Sequence, residues 1–142
     1  MKNAAEVMQM AFAAMGGALG AVLGGWDGFL YALVLFVAVD YLTGVLVAVM
    51  RRKLSSEAGF RGIARKVVIF CLVAVAQVID VQIIRNGSVV WTAVIFFYLS
   101  NEGLSVLENA AVIGLPIPDK LKAMLIQLAD EKKPPEDDEI NE

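Results

Sequence analysis

Three carboxylates lie inside long apolar stretches of the sequence, at Asp40, Asp80 and Glu102. An acid inside a membrane span is costly, so it usually pairs with a cation, faces a water-filled cavity or takes part in transport. The chain has no histidine and a single cysteine, Cys71, so the usual general base and zinc ligands are missing and an internal disulfide is excluded. We therefore expect a protein that is not an enzyme, with no catalytic residue, no cofactor and no metal.

The apolar stretches that carry these acids are long enough to cross a membrane. Of the 142 residues, 58% are hydrophobic and 19% are charged, whereas about a quarter of a soluble domain is charged. About 20 helical residues cover the ~30 Å hydrocarbon core of a bilayer. The sequence predicts an all-α membrane protein with a transmembrane domain at residues 1–109. Its spans are predicted at about 7–26, 28–50, 67–84 and 88–107.

Two short turns, at residues 26–28 and 85–87, join these spans into two hairpins because they combine glycine with an interfacial tryptophan or arginine. The first span is the least secure because it contains few strongly hydrophobic residues, so three spans are the alternative to four.

The basic residues predict the orientation in the membrane. Half of the lysines and arginines lie in residues 51–66, beside one acid, Glu57. Basic loops stay on the cytoplasmic side, so this loop, and with four spans both termini, should be cytoplasmic. We expect these side chains to contact anionic lipid and not nucleic acid. They are Arg51, Arg52, Lys53, Arg61, Arg65 and Lys66.

Glycines predict close helix packing. Gly16, Gly20 and Gly24 recur every four residues in the first span, the spacing with which helix backbones approach each other in lipid. The functional interpretation is self-association into a homo-oligomer. The alternatives are packing within the hairpin or a glycine-rich helix without a special face.

The surroundings of the first two acids can also be predicted. Asp40 shares a helix face with Gly44 and therefore faces a narrow groove. No basic residue lies within two turns of Asp40 on its own helix or at its predicted depth on the others, so its own charge is predicted to control function. Structural pairing with a neighbouring cation is the alternative. Asp80 lies near the outer end of its span, where Arg85 or water can pair with it.

The fourth span ends in a polar row that is unsuited to lipid. Pairing of Glu102 or Glu108 with Lys66 is the structural explanation, and direct participation in conduction is the functional one. The row consists of Asn101, Glu102, Ser105, Glu108 and Asn109.

The chain beyond the spans changes character twice. Leu121, Met124, Leu125 and Leu128 recur at helical spacing and predict an amphipathic helix at 115–129, on the membrane surface or against the bundle. Residues 130–142 are acidic, with two prolines, and are predicted to be disordered.

Several of these segments together resemble bacteriophage holins, including the clostridial toxin-release type. The resemblance covers roughly residues 30–128. It rests on the Asp-Tyr-Leu-Thr-Gly run at 40–44, the basic segment with Gly59 and Gly62, the polar run at 101–109 and Gly-Leu-Pro-Ile-Pro at 114–118.

The resemblance implies a protein of the host's cytoplasmic membrane that accumulates and then, at a set time, assembles into lesions. An endolysin, or in relatives a toxin, escapes through them. The implied partners are the lipid bilayer, further copies of the chain and the endolysin that passes through.

The alternative is a small proton-coupled multidrug exporter, because four spans with an embedded acid also suit such a carrier. Its acid would have to line a substrate cavity with aromatic residues nearby. The first span here has no acid, and the aromatic cluster of Phe96, Phe97 and Tyr98 accompanies Glu102.

Overall fold

The computed structural model describes residue 1 and residues 3–130, with side chains described up to residue 127. Its helices are α1 (Ala4–Val22), α2 (Gly28–Met50), α3 (Ser56–Val78), α4 (Val89–Ile113) and α5 (Asp119–Asp130), and a π-helical turn, Ile79–Ile84, extends α3. Helices α1 to α4 are long and apolar enough to cross a membrane. The predicted all-α membrane fold with four such helices is therefore confirmed. From residue 131 on, the predicted disordered tail lies outside the described residues.

Helices α2, α3 and α4 pack around one apolar core, whereas α1 makes few contacts with them. The buried side chains recur every three or four residues, so each of the three helices contributes one row to the core. The rows are Leu30, Leu33 and Val37 from α2, Ile69, Val73 and Ala76 from α3, and Trp91, Ile95 and Leu99 from α4.

Polar side chains fix where two of these helices begin. The carboxylate of Asp27 accepts a hydrogen bond from the Leu30 amide at 2.9 Å, and the Ser55 hydroxyl accepts one from the Ala58 amide at 3.1 Å. Such caps satisfy amides that have no partner within the helix. Before α2 the chain turns at Gly24, whose φ of +101° is one that only glycine adopts without strain.

The basic segment is mostly helical, which differs from the predicted loop at 51–66. Because Ser55 caps α3, only residues 51–55 lie between the helices, and Arg61, Arg65 and Lys66 belong to α3. The charge pattern locates the basic residues but does not distinguish a loop from the first turns of a helix. Two further boundaries differ from the predicted spans. Helix α1 ends at Val22 instead of residue 26, and α4 continues to Ile113 instead of residue 107.

Helix α5 folds back against the bundle instead of continuing away from it. Gly114 ends α4 in the left-handed region, with φ +103°. Leu125 then packs on Gly103 of α4, where an added Cβ would lie 3.1 Å from the Leu125 methyl groups and 3.3 Å from Phe36. Of the two predicted locations for the amphipathic helix, the structure has the one against the bundle.

Candidate functional site

Three charged side chains from three helices meet in the interior of the bundle. The ammonium group of Lys66 on α3 donates to Oδ2 of Asp40 on α2 and to Oε2 of Glu102 on α4. Asp40 and Glu102 are both only 7% exposed. Because each helix supplies one member, the cluster forms only when all three helices are packed together.

Uncharged groups complete the hydrogen bonding of Asp40. The side-chain amide of Asn109 on α4 donates to Asp40 Oδ1 at 3.1 Å and to the Thr43 hydroxyl at 2.9 Å, and that hydroxyl donates to the Val39 carbonyl at 2.8 Å. Among the described residues, no buried side-chain nitrogen or oxygen lacks a partner. We refer to Asp40, Lys66 and Glu102, with Asn109 and Thr43, as the charge cluster.

The position of Lys66 corrects the prediction for Asp40. The sequence indicated no cation at the depth of Asp40, because Lys66 was placed in a loop at the edge of the membrane. Since α3 begins at Ser56, Lys66 lies about 15 Å along this helix, at the level of the acid. The alternative of a Lys66–Glu102 pair agrees with the structure, whereas Glu108 is exposed and outside the cluster.

Two open cavities border the charge cluster. One, of about 260 Å³, lies between α2, α3 and α4 and includes Gly44 and Tyr41 in its lining. The other, of about 650 Å³, lies between α3 and α4 and includes Arg65 and Asn101. Half-buried Ser105 lines both cavities. The cluster is therefore bordered by open space on two sides.

Asp80 is paired with a helix terminus, whereas the sequence predicted Arg85 or water as its partner. Its Oδ1 accepts from the Val90 amide at 3.1 Å and its Oδ2 from the Trp91 amide at 2.7 Å, which caps α4. The π-helical turn and the left-handed Arg85, with φ 56°, bring the 2% exposed Asp80 to the start of α4. The positive end of the helix dipole stabilises this buried carboxylate.

Of the predicted glycine ladder, Gly16 and Gly20 lie in α1 and Gly24 does not. Gly24 lies beyond the end of α1 and outside its helical row. The Trp26 indole occupies the space that a Cβ on Gly20 would need and donates to the Gly16 carbonyl at 2.9 Å, whereas the space beside the Gly16 Cα is open. Intramolecular packing, one of the alternatives, therefore accounts for Gly20. Gly44 lies on α2 and faces α4, where an added Cβ would lie 3.8 Å from the side-chain nitrogen of Asn109.

The remaining predicted residues are spread over the surface. Asn101 is exposed on α4, and Arg61 forms an exposed ion pair with Glu57 at 2.7 Å. The other basic residues outside the charge cluster are also exposed: Arg51, Arg52, Lys53 and Arg65. In the part of the chain that the structure describes, no three histidine, cysteine or acidic side chains lie together as metal ligands.

Two aromatic residues have structural roles that sequence reasoning missed. Tyr41 lies against α3 at Gly59 and Gly62, where an added Cβ on Gly62 would be 3.3 Å from its ring. The Trp91 indole donates to the Leu23 carbonyl at 2.7 Å and so links α4 to the end of α1. The spacing of Gly59 and Gly62 on one helix face was the available signal for the first contact.

Comparisons with known proteins agree with the resemblance. The sequence pattern of the bacteriophage holin family matches residues 17–130. An uncharacterized 14.9 kDa protein in the nagH 3' region of Clostridium perfringens is 38% identical over 133 residues, covering 93% of this chain and all of that protein. A probable holin of Bacillus phage phi105 is 38% identical over 103 residues, 71% of this chain and 76% of its own length. No solved structure matches the chain.

Proposed function

The chain belongs to the bacteriophage holin family, and from this premise we propose that it is a phage holin. It accumulates in the cytoplasmic membrane of the bacterial host and then assembles with further copies into lesions. Through these lesions an endolysin, or a toxin in its place, leaves the cytoplasm. The observation that carries the proposal is the family match over residues 17–130, which includes the complete α2–α4 bundle.

The internal pairing of the charge cluster supports a single copy that does not permeabilise the membrane. Asp40, Lys66 and Glu102 satisfy one another inside the bundle, so one copy can reside in lipid without opening a path for water. In a membrane, unpaired charges would instead require water or a partner. Assembly at high density exchanges some internal contacts for contacts between copies, and the polar residues beside the two cavities then border an aqueous lesion.

The basic residues support an orientation with the α2–α3 turn in the cytoplasm. Arg51, Arg52 and Lys53 lie at this turn and are exposed, where they contact anionic headgroups. With four spans, both termini are also cytoplasmic. In a Cys71→Ser background, an impermeant thiol reagent added to intact cells should label Asn86→Cys in the opposite turn and should not label Ser56→Cys. The reverse labelling would reject this orientation.

Induced expression in a bacterium tests the function. We expect a delay, then an abrupt loss of membrane potential and viability, and a fall in turbidity only when a cytoplasmic endolysin is expressed as well. Lys66→Met, which breaks the charge cluster, should change the timing or the amount of protein. Val67→Met, on the exposed side of the same helix, serves as the matched control. Intact growth with resistance to toxic cations would instead support the exporter.

A further inference from the structure

A groove between α3 and α4 is open to the surroundings of the bundle. Its half near the start of α3 is polar, where Arg65 and Asn101 line the cavity of about 650 Å³. Its other half is apolar, a cavity of about 480 Å³ that includes Val75 and Phe97 in its lining. Tyr98 borders both halves, so they form one continuous groove, called here the α3–α4 groove.

The polar half of the groove is unsuited to contact with lipid. Asn101 lies at the centre of α4, about 18 Å from each end of the helix. Its exposed side chain has no hydrogen bond within the described residues. Arg65 is also exposed, about 13 Å along α3. Side chains of this kind are costly in hydrocarbon and generally pair across helices, so an occupant with polar groups at this level is favoured over lipid.

Helix α1 is an apolar helix without a substantial partner in its own chain. All of α1 is described, and Gly20, under Trp26, is its one buried residue. Before the part of α1 that Trp26 covers, Glu6, Gln9 and Ala13 line a shallow depression on the same helix face as Gly16 and Gly20. Further along, Gly17 has open space where a side chain would be. This surface of α1 is therefore polar at its beginning and carries small residues towards its end.

Length, direction and charge match α1 to the groove. The 19 residues of α1 extend about 28 Å, and the groove follows α3 for about 27 Å, from Arg61 to Ile79. With four spans, α1 and α3 run in the same direction, so Glu6 and Gln9 lie on the same side of the membrane as Arg61 and Arg65. A carboxylate and an amide thus meet the guanidinium group of Arg65, beside the Arg61–Glu57 ion pair, which is favourable pairing.

We propose that α1 of one copy occupies the α3–α4 groove of the next copy. Among the described residues, none from α1 lines either half of its own chain's groove, so the groove is open to a second copy. Each copy offers one surface and accepts another, and such head-to-tail contacts close into rings or extend as filaments. This inference rests on the proposed function, because it describes how the copies assemble.

Disulfide crosslinking between two differently tagged copies tests the arrangement. In a Cys71→Ser background, Ala13→Cys in one copy should crosslink to Val68→Cys in the other, because both lie at about the same depth on the paired surfaces. Two matched controls should crosslink much less. Phe12→Cys lies on another face of α1, and Val67→Cys is exposed on α3 but does not line the groove. Gly17→Cys with Leu72→Cys tests the same contact one turn further along.

The crosslinking yields distinguish contact between copies from contact within one chain. Mixed-tag dimers from both designed pairs, at several times the yield of the controls, would support the inference. Equal yields from all pairs, or no dimers, would overturn it. A disulfide within one chain that carries both Ala13→Cys and Val68→Cys, without mixed dimers, would assign the groove to the chain's own α1 and also overturn it. Delayed depolarisation without specific crosslinks would preserve the proposed function and reject only this assembly. Specific crosslinks without depolarisation would support this assembly and reject the proposed function.

Discussion

The bundle buries carboxylates in two places and satisfies them in two different ways. In the charge cluster, Asp40 and Glu102 pair with Lys66, which is 26 and 36 residues away in sequence. Near the other end of the bundle, Asp80 accepts hydrogen bonds from backbone amides only 10 and 11 residues away. The first arrangement requires three packed helices, whereas the second requires only the turn between α3 and α4.

The two sites should therefore respond to different events. Separation of α2, α3 and α4 during assembly removes partners from the charge cluster. The Asp80 cap persists as long as the α3–α4 hairpin does. Substitutions at the two sites can distinguish rearrangement of the whole bundle from fraying of one hairpin.

Lys66→Met should have the largest effect. It leaves Asp40 and Glu102 close together without their shared cation, and removing one member of a buried ion pair costs about 3–5 kcal/mol. The free energy of unfolding, measured in detergent by circular dichroism, should fall by this order, and folded protein should decrease. Val67→Met should leave both unchanged. An unfolding free energy of Lys66→Met equal to that of the native chain would show that the cluster does not stabilise the bundle.

Replacing the two acids should change the free energy of unfolding in a strongly non-additive way. Asp40→Asn or Glu102→Gln alone leaves Lys66 with one carboxylate, so each should change stability little. The double variant leaves Lys66 without a carboxylate and should lose about 2–3 kcal/mol more than the sum of the single changes. Chemical unfolding of all four chains in the same detergent measures this coupling. Additive losses would mean that the two acids act independently.

The Asp80 cap should contribute less to the free energy of unfolding than the charge cluster does. Asp80→Ala leaves the Val90 and Trp91 amides without their acceptor and should cost about 2 kcal/mol. Asp27→Ala removes a more exposed cap from α2 and should cost about 1 kcal/mol. Hydrogen exchange of the first amides of each helix, combined with unfolding measurements, tests both. If Asp27→Ala were the more damaging, burial would not be what makes the Asp80 cap important.

The smallest effect should come from the link between α4 and the end of α1. Trp91→Phe removes the hydrogen bond to the Leu23 carbonyl while keeping a large ring in the core, at a cost of about 0.5 kcal/mol. Proteolysis near Gly24 should become faster, and the charge cluster should be unaffected. Trp26→Phe, which removes the bond to the Gly16 carbonyl, is the matched comparison. Loss of the whole bundle on Trp91→Phe would contradict this local role.

The sequence by itself determined the elements of the fold. Apolar stretches of membrane-spanning length predict the helices, because the bilayer requires each spanning segment to satisfy its own backbone hydrogen bonds. Turn residues such as Asp27 and Gly87 separate these segments. The sequence also identified Asp40, Asp80 and Glu102 as residues that need partners, since an acid among apolar residues is conspicuous.

Only the tertiary structure decided which partners these residues have. The depth of Lys66 depends on the start of α3 at Ser56, which a count of charges does not reveal. Asp80 meets the amides of α4 because a π-helical turn redirects the chain, and Gly20 lies under Trp26 because α1 ends four residues before that indole. Such contacts depend on how helices are rotated and placed relative to each other. Short-range sequence patterns define the spacing along one helix but not this placement.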